Sequence, residues 1–242
     1  MGIRKYNYKI GGITYNMNFD LTPLIISIKT SLIATIITSI IGILIAYLMM
    51  NYKGKFRTLI EIILTLPLIL PPTVVGFCLL LIFGKNGIIG NILISMNKNI
   101  IFTWWATVIS AVAVSLPIMY RSLRSSFEQI DENIILSART LGLSEWNIFK
   151  KIILPLSTPG VIGGIALSFA RAIGEFGATL MIAGNIPGKT QTIPIAIFFE
   201  VESGNMAMAS FWVMVIILMS LGIMLILNYW SNKQLKIVGK RK

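Results

Sequence analysis

The sequence predicts an all-α polytopic membrane protein with five transmembrane helices and a structured cytoplasmic loop between the third and the fourth. Three observations lead there. Only 12% of the 242 residues are charged and 55% are hydrophobic, whereas soluble domains carry about 25% charged residues. Five uncharged runs, 30–50, 62–84, 99–120, 152–170 and 203–232, reach or approach the roughly 20 apolar residues that cross a bilayer. Between the third and fourth runs, residues 121–151 are charged yet carry helix start and stop residues. The predicted spans are about 21–50, 58–84, 99–120, 152–183 and 206–232. The fourth is a long or broken helix that accepts Arg171 and Glu175 inside the membrane.

The net charge of +12 is a membrane signature here, and nucleic acid is not an expected partner. Thirteen of the 21 lysines and arginines lie in 51–57, 121–151 and the tail 233–242, among them Lys53, Lys240, Arg241 and Lys242. Cytoplasmic loops carry this excess. The expected topology therefore has the tail 1–20 outside, the C-terminus inside and loop 121–151 cytoplasmic. Cys78 is the single cysteine, so no intrachain disulfide forms. Histidine is absent, and no metal site is expected. The first apolar run follows a polar tail and lacks a small-residue cleavage site, so it is expected to be retained.

In the first span, Ser27, Ser31, Thr35 and Ser39 repeat every four residues, followed by Gly42 and Ala46. Small residues on one stripe let helices approach closely in lipid; pore lining is the alternative. Lys29 is placed to snorkel to the headgroups. The second span reads "LPLILPPTVVG". Pro67, Pro71 and Pro72 remove backbone donors, so the helix must bend or break, and residues 65–76, Thr73 included, form either a cavity wall or a structural kink.

Loop 121–151 parses as helix, turn, helix. Residues 129–141 place Ile134, Ala138 and Leu141 at helical spacing, with Asp131 and Glu132 in the opening turn. Gly142 stands where a left-handed C-terminal cap is wanted. Ser144 is an N-cap and Glu145 complements the next helix dipole, while Leu143 and Ile148 occupy hydrophobic-staple positions. The result is a short rigid elbow built to bear against something. Lys150 and Lys151 mark the membrane boundary. In the fourth span Gly160 and Gly164 form a packing pair. Arg171 and Glu175, four residues apart, are able to neutralise each other, in a functional or a purely structural role. The loop 184–202 either lies on the outer membrane surface or folds back into the domain.

The elbow resembles the loop of bacterial ABC-importer permeases whose pattern is E-A-A-x(3)-G-x(9)-I-x-L-P. Ala138, Gly142, Ile152, Leu154 and Pro155 fall on it, while Leu136 and Ser137 replace its Glu and first Ala. Further stretches, "LPLILPPTVVGF", "SLPIMYRSLRSSFE", "ARTLG", "FARAIGEFGAT" and "GNIPGKTQTIP", are similar to the molybdate branch of the oxyanion importers, with sulfate and tungstate permeases close by.

The resemblance implies a type I importer permease acting as a homodimer in the bacterial cytoplasmic membrane, with a cytoplasmic ABC ATPase dimer and an extracytoplasmic substrate-binding protein. It implies that the chain is not an enzyme and binds no cofactor, ATP and Mg residing on the ATPase. Asp131, Glu132, Ala138, Arg139, Leu141, Gly142, Leu143, Ser144, Trp146 and Phe149 would form the ATPase-coupling loop. Pro67, Pro71, Pro72, Thr73, Arg171, Gly174, Glu175 and Gly177 are the pore or gate candidates. An ion-coupled secondary transporter is the competing reading. It would call for paired buried carboxylates or an inverted repeat, and only Glu175 qualifies. A membrane enzyme would need clustered acid–base or metal-ligating groups, and no phosphate-cradling GxxxxGK[ST] loop is present.

Overall fold

The computed structural model describes residues 4–10, 13–52 and 54–239. Lys53, Lys240, Arg241 and Lys242, used above for the charge asymmetry, lie outside the described residues. So do 1–3 and 11–12 of the N-terminal tail. Strands β1 (Arg4–Ile10) and β2 (Ile13–Phe19) pair antiparallel from Arg4↔Phe19 to Ile10↔Ile13. The described part of the tail is thus a strand pair, and among the described residues the all-α description holds after it.

Twelve α-helices follow among the described residues: α1 (Thr22–Asn51), α2 (Arg57–Thr65), α3 (Pro72–Phe83), α4 (Ile88–Ser95), α5 (Trp104–Glu128), α6 (Glu132–Thr140), α7 (Glu145–Ile148), α8 (Leu154–Leu156), α9 (Thr158–Ile173), α10 (Gly177–Ala183), α11 (Ile193–Glu202) and α12 (Met206–Gly239). Among the described residues three helices are long and apolar enough to cross a membrane, or five if each bent pair counts as one span.

Helix α1 runs for 30 residues, about 45 Å at the α-helical rise, ample for a hydrocarbon core of about 30 Å. Helix α5 starts later than the apolar run and outlasts it, to Glu128. Asn99 Oδ1 accepts from the Ile101 amide at 3.0 Å and Phe102 takes a positive φ of 59°, which delays the start. At the other end Arg121 and Arg124 continue the helix beyond the apolar run. Apolarity reports where lipid ends, not where the helix does.

Hydroxyl side chains line part of the buried face of α1. Ser27, Thr30, Ser31, Thr35 and Thr38 of α1 are buried, Thr30 and Thr38 against α5. Thr30 meets Thr107 at 3.0 Å and Thr38 meets Ser115 at 3.1 Å. Ser31 and Thr35 return their protons to carbonyls one turn back. The stripe is a packing seam. The opposite face of α1, with Leu32, Ile36, Ile40, Leu44 and Leu48, is exposed, as lipid contact requires. Gly160 and Gly164 press against α5. A Cβ at Gly160 would overlap Ser126 Oγ, and one at Gly164 would lie 2.9 Å from Met119 Sδ. The Gly160 carbonyl accepts from Ser122 Oγ at 2.9 Å.

The two ends of the bundle are distinct. At one end Lys29 Nζ lies 4.3 Å from the Trp104 ring centroid, whose Nε1 donates to Thr30 Oγ1; this cation–π contact replaces the expected free snorkel. Here the loop 184–202 folds back into the domain. It becomes α11, with Ile193, Ile195 and Ala196 buried and the Ile193 amide donating to Ser27 Oγ at 2.7 Å. At the other end α2, the close of α5 and the elbow share one cluster around Met49, Tyr120, Phe127, Ile148 and Phe149.

Candidate functional site

Two constructions stand out: the elbow and a pair of facing helix breaks. The elbow is built by its caps. Asp131 accepts from the Asn133 amide at 2.9 Å and starts α6, with Glu132 in its first turn. Helix α6 therefore spans Glu132–Thr140, shorter than the 129–141 read from spacing. It closes in a Schellman motif, in which the Leu143 amide donates to the Ala138 carbonyl at 3.1 Å and that of Gly142 to the Arg139 carbonyl at 2.9 Å. Gly142 takes φ 78° with open space at its Cβ position. Ser144 caps α7 through the Asn147 amide at 3.4 Å.

Arg139 and Glu145 then close the turn with two contacts, at 2.7 and 3.0 Å. That bidentate bond holds the Glu145 carboxyl below the usual carboxylate range and raises Arg139. Phe149 anchors the elbow to the bundle, 4.3 Å from Tyr47 and 6.0 Å from Phe127 by ring centroids. A π-helical turn, Phe149–Ile153, carries the chain into the fourth span.

The inward face differs from the one read from spacing. Of Ile134, Ala138 and Leu141, only Ala138 is buried; Leu141 is 82% exposed and Ile134 44%. Ile135 and Leu143 pack on the cluster instead. Leu141 is the C-cap, already leaving the helical path, so periodicity no longer sets its direction. Leu136, Leu141 and Trp146 are thereby left as exposed apolar side chains on the elbow.

The second construction joins two broken spans. Residues Arg57–Leu68 and Pro72–Phe83 meet at 115°. Pro71 takes extended geometry (ψ 139°) and its carbonyl receives the amides of Val74 and Val75. The fourth span is bent by 72° between Glu145–Leu156 and Thr158–Ile173, then stops at Gly174 and restarts at Gly177. Between these pieces Glu175 is 2% exposed in its side chain. It accepts from Arg171 Nη1 at 2.6 Å and from the Ala178 amide at 2.7 Å, neutralising the arginine while satisfying an amide that opens α10.

The breaks touch. A Cβ at Gly177 would meet Pro72 Cβ at 3.1 Å and the Thr73 amide nitrogen at 3.2 Å; one at Gly76 would strike Ala178 Cα at 2.7 Å. Ser110 and Thr179 share a hydroxyl contact of 2.7 Å alongside. Pro72, Thr73, Glu175 and Gly177 are thus assembled, with Pro71 preceding them and Arg171 attached through Glu175. Pro67 belongs to the 3-10 turn Leu66–Leu68 before the break. Gly174 is exposed, its Cβ position meeting only the Ala170 carbonyl of its own helix. Among the described residues no group of three or more His, Cys, Asp or Glu stands together as metal ligands do.

The model of the family described as the binding-protein-dependent transport system inner membrane component matches residues 19–236. The chain belongs to this family. YvgM of Bacillus subtilis (strain 168), provisionally named for molybdenum transport, is 44% identical over 200 residues, 82% of this chain and 88% of its own. The molybdenum transport system permease protein ModB of Escherichia coli (strain K12) is 39% identical over 180 residues, covering 74% and 79%. The sulfate transport system permease protein CysT of the same organism is 32% identical over 208 residues, covering 86% and 75%. The fold is that of a solved bacterial ABC transporter that imports the acidic polysaccharide alginate, at a TM-score of 0.72 and 14% identity over 88% of this chain and 79% of that one.

As a member of this family the chain is a membrane transport component, and ABC-importer permeases share its fold. Gly76 lies in the stretch 65–76 expected to form a cavity wall or a kink, but its contact with Ala178 escaped the sequence reading, because a glycine inside a helix looks the same whether it faces lipid or a backbone. Glu61 escaped it too, as an isolated acid at the edge of an apolar run.

Proposed function

We propose that this chain is the permease subunit of an ATP-driven molybdate importer in the bacterial cytoplasmic membrane. Two copies form the pathway, an external binding protein delivers the dianion, and a separate ATPase dimer docks on the elbow and holds the nucleotide and magnesium. The observation that carries the reading is the elbow itself. A helix pair capped at both starts, locked by a Schellman turn and the Arg139–Glu145 bond, presents Leu136, Leu141 and Trp146 outward. A stiff projection on an anchored base transmits force, which a flexible polar linker does not. The end of the bundle bearing the elbow is the cytoplasmic one on the charge asymmetry, so the end bearing Lys29, Trp104 and α11 faces outward.

In this reading the facing breaks are the gate. Helix ends are cheaper to shift than helix middles, because fewer backbone hydrogen bonds must be remade. Arg171 and Glu175 keep the halves of the fourth span in register during that shift. Molybdate is preferred to sulfate on the likeness to ModB, while the likeness to CysT makes sulfate the second reading.

The test is ATP-dependent uptake into vesicles holding this chain with its ATPase and binding protein. The expected result is molybdate uptake that survives a large excess of sulfate and needs ATP. Uptake of sulfate in preference would establish the second reading. Uptake driven by an ion gradient without ATP would refute both.

A further inference from the structure

The fourth span runs from the elbow to the facing breaks, and α2 is a second element that reaches both. This helix buries none of its residues fully, and Phe56, Leu59, Ile62 and Ile63 are exposed around it. Ile60 and Leu64 rest on the cluster that also holds Ala138, Ile148 and Phe149 of the elbow. Its far end runs through Leu66–Leu68 into the break whose Pro72 and Thr73 touch Gly177. A helix seated so lightly would slide under a lateral load, unless something pins it sideways.

Glu61 is that pin. It accepts from Arg57 Nε on its own helix at 3.1 Å and from Arg124 Nη1 of α5 at 2.6 Å. Arg124 continues to Glu128 at 2.8 Å, three residues before the Asp131 cap that opens the elbow. The Glu61 side chain is 20% exposed, so the central acid of this chain of four charges is sheltered although its partners are not. Ion pairs this close to water add little to stability. They do fix direction, since a carboxylate shared by guanidiniums on two helices resists displacement along either one.

We propose that Glu61 and Arg124 are positioning residues, a strut that carries motion of the elbow and the end of α5 into α2, and so to the break at residues 69–71. The proposal rests on the importer reading. Without the strut α2 slips, ATP is still hydrolysed, and the gate moves less per turn of the cycle. The pair stays closed throughout, because its task is to transmit displacement.

The test replaces the ion pair with a covalent one. In a Cys78→Ser parent, Glu61→Cys and Arg124→Cys are introduced together. The full importer is assembled in proteoliposomes, and molybdate transported per ATP hydrolysed is measured. The unlinked variant is expected to lose about tenfold in this ratio while still hydrolysing ATP, the scale of a typical coupling between sites. A short reducible thiol cross-linker restores the ratio, and reducing agent abolishes it again. An unlinked variant with the parent's ratio overturns the strut. So does a linked variant that hydrolyses ATP without regaining transport, or an unlinked variant that no longer assembles. If the Cys78→Ser parent itself shows no ATP-driven uptake, the importer reading has failed, and the strut falls with it.

Discussion

Replacing Gly142 separates backbone geometry from surface chemistry at the tip of the elbow. Its φ of 78° lies in the left-handed region, and no atom stands within 4 Å of a built Cβ, so within this chain a substitution meets strain and no collision. An L-residue there costs about 1–2 kcal/mol. Alanine is expected at the low end, near 1 kcal/mol, and valine near 2 kcal/mol because its branched Cβ crowds the backbone further. Asparagine, which tolerates this region, costs a few tenths. A penalty of about 2 kcal/mol shifts the competent elbow by roughly thirtyfold against its relaxed alternatives.

The assay is capture of the ATPase subunit by the tagged chain in mild detergent, with ATP hydrolysis of the captured complex. The expected order is glycine, asparagine, alanine, valine. Valine performing like glycine would refute the claim that a left-handed turn sets the elbow. Asparagine failing as badly as valine would show that the partner needs a bare Cα there, making the residue a contact and not a hinge.

Three further outcomes follow from the same contacts. Glu175→Ala strips the half-buried Arg171 guanidinium and the Ala178 amide of their acceptor, and should lower stability in detergent by about 1–3 kcal/mol; a melting temperature equal to wild type would contradict the pairing. Gly76→Val drives a side chain into the Ala178 backbone and should separate α3 from α10, abolishing transport while the ATPase still binds, as uptake and capture measured together will show. For Glu145, the carboxyl held low by Arg139 stabilises the elbow above the ordinary carboxylate range and loses that contribution as pH falls through its lowered folded value. The melting difference between wild type and Glu145→Gln should therefore be flat from pH 6 to 8 and vanish in acid; a difference that grew in acid would reverse the assignment.

The elbow was the most legible part of the chain, because caps are local. Gly142 and Ser144 announce themselves within four residues, and each does in the structure what its side chain or bare Cα dictates; the Asp131 cap, which starts α6 later than residue 129, did not. The breaks were half legible. Pro71 and Pro72 break a helix wherever they stand, but nothing local says that Thr73 will face Gly177, or that Gly76 will lie against Ala178. The face of α6 was misjudged because residues 134 to 141 make barely two turns, too few for a spacing argument when the last residue is already a cap. The small-residue stripe of α1 was legible as a seam, but not Thr30 and Thr38 beside it, whose partners Thr107 and Ser115 lie 77 residues away.

The sequence by itself determined the membrane environment and the rigid elbow. These follow from composition and from interactions within one helical turn, which the chain carries wherever it goes. Tertiary structure alone decided that the two breaks meet and that Glu61 reaches from α2 to Arg124. Those contacts depend on how helices far apart in the chain pack against one another. In lipid that packing is chosen by close backbone approach and satisfied polar groups rather than by hydrophobicity, which is the same on every side.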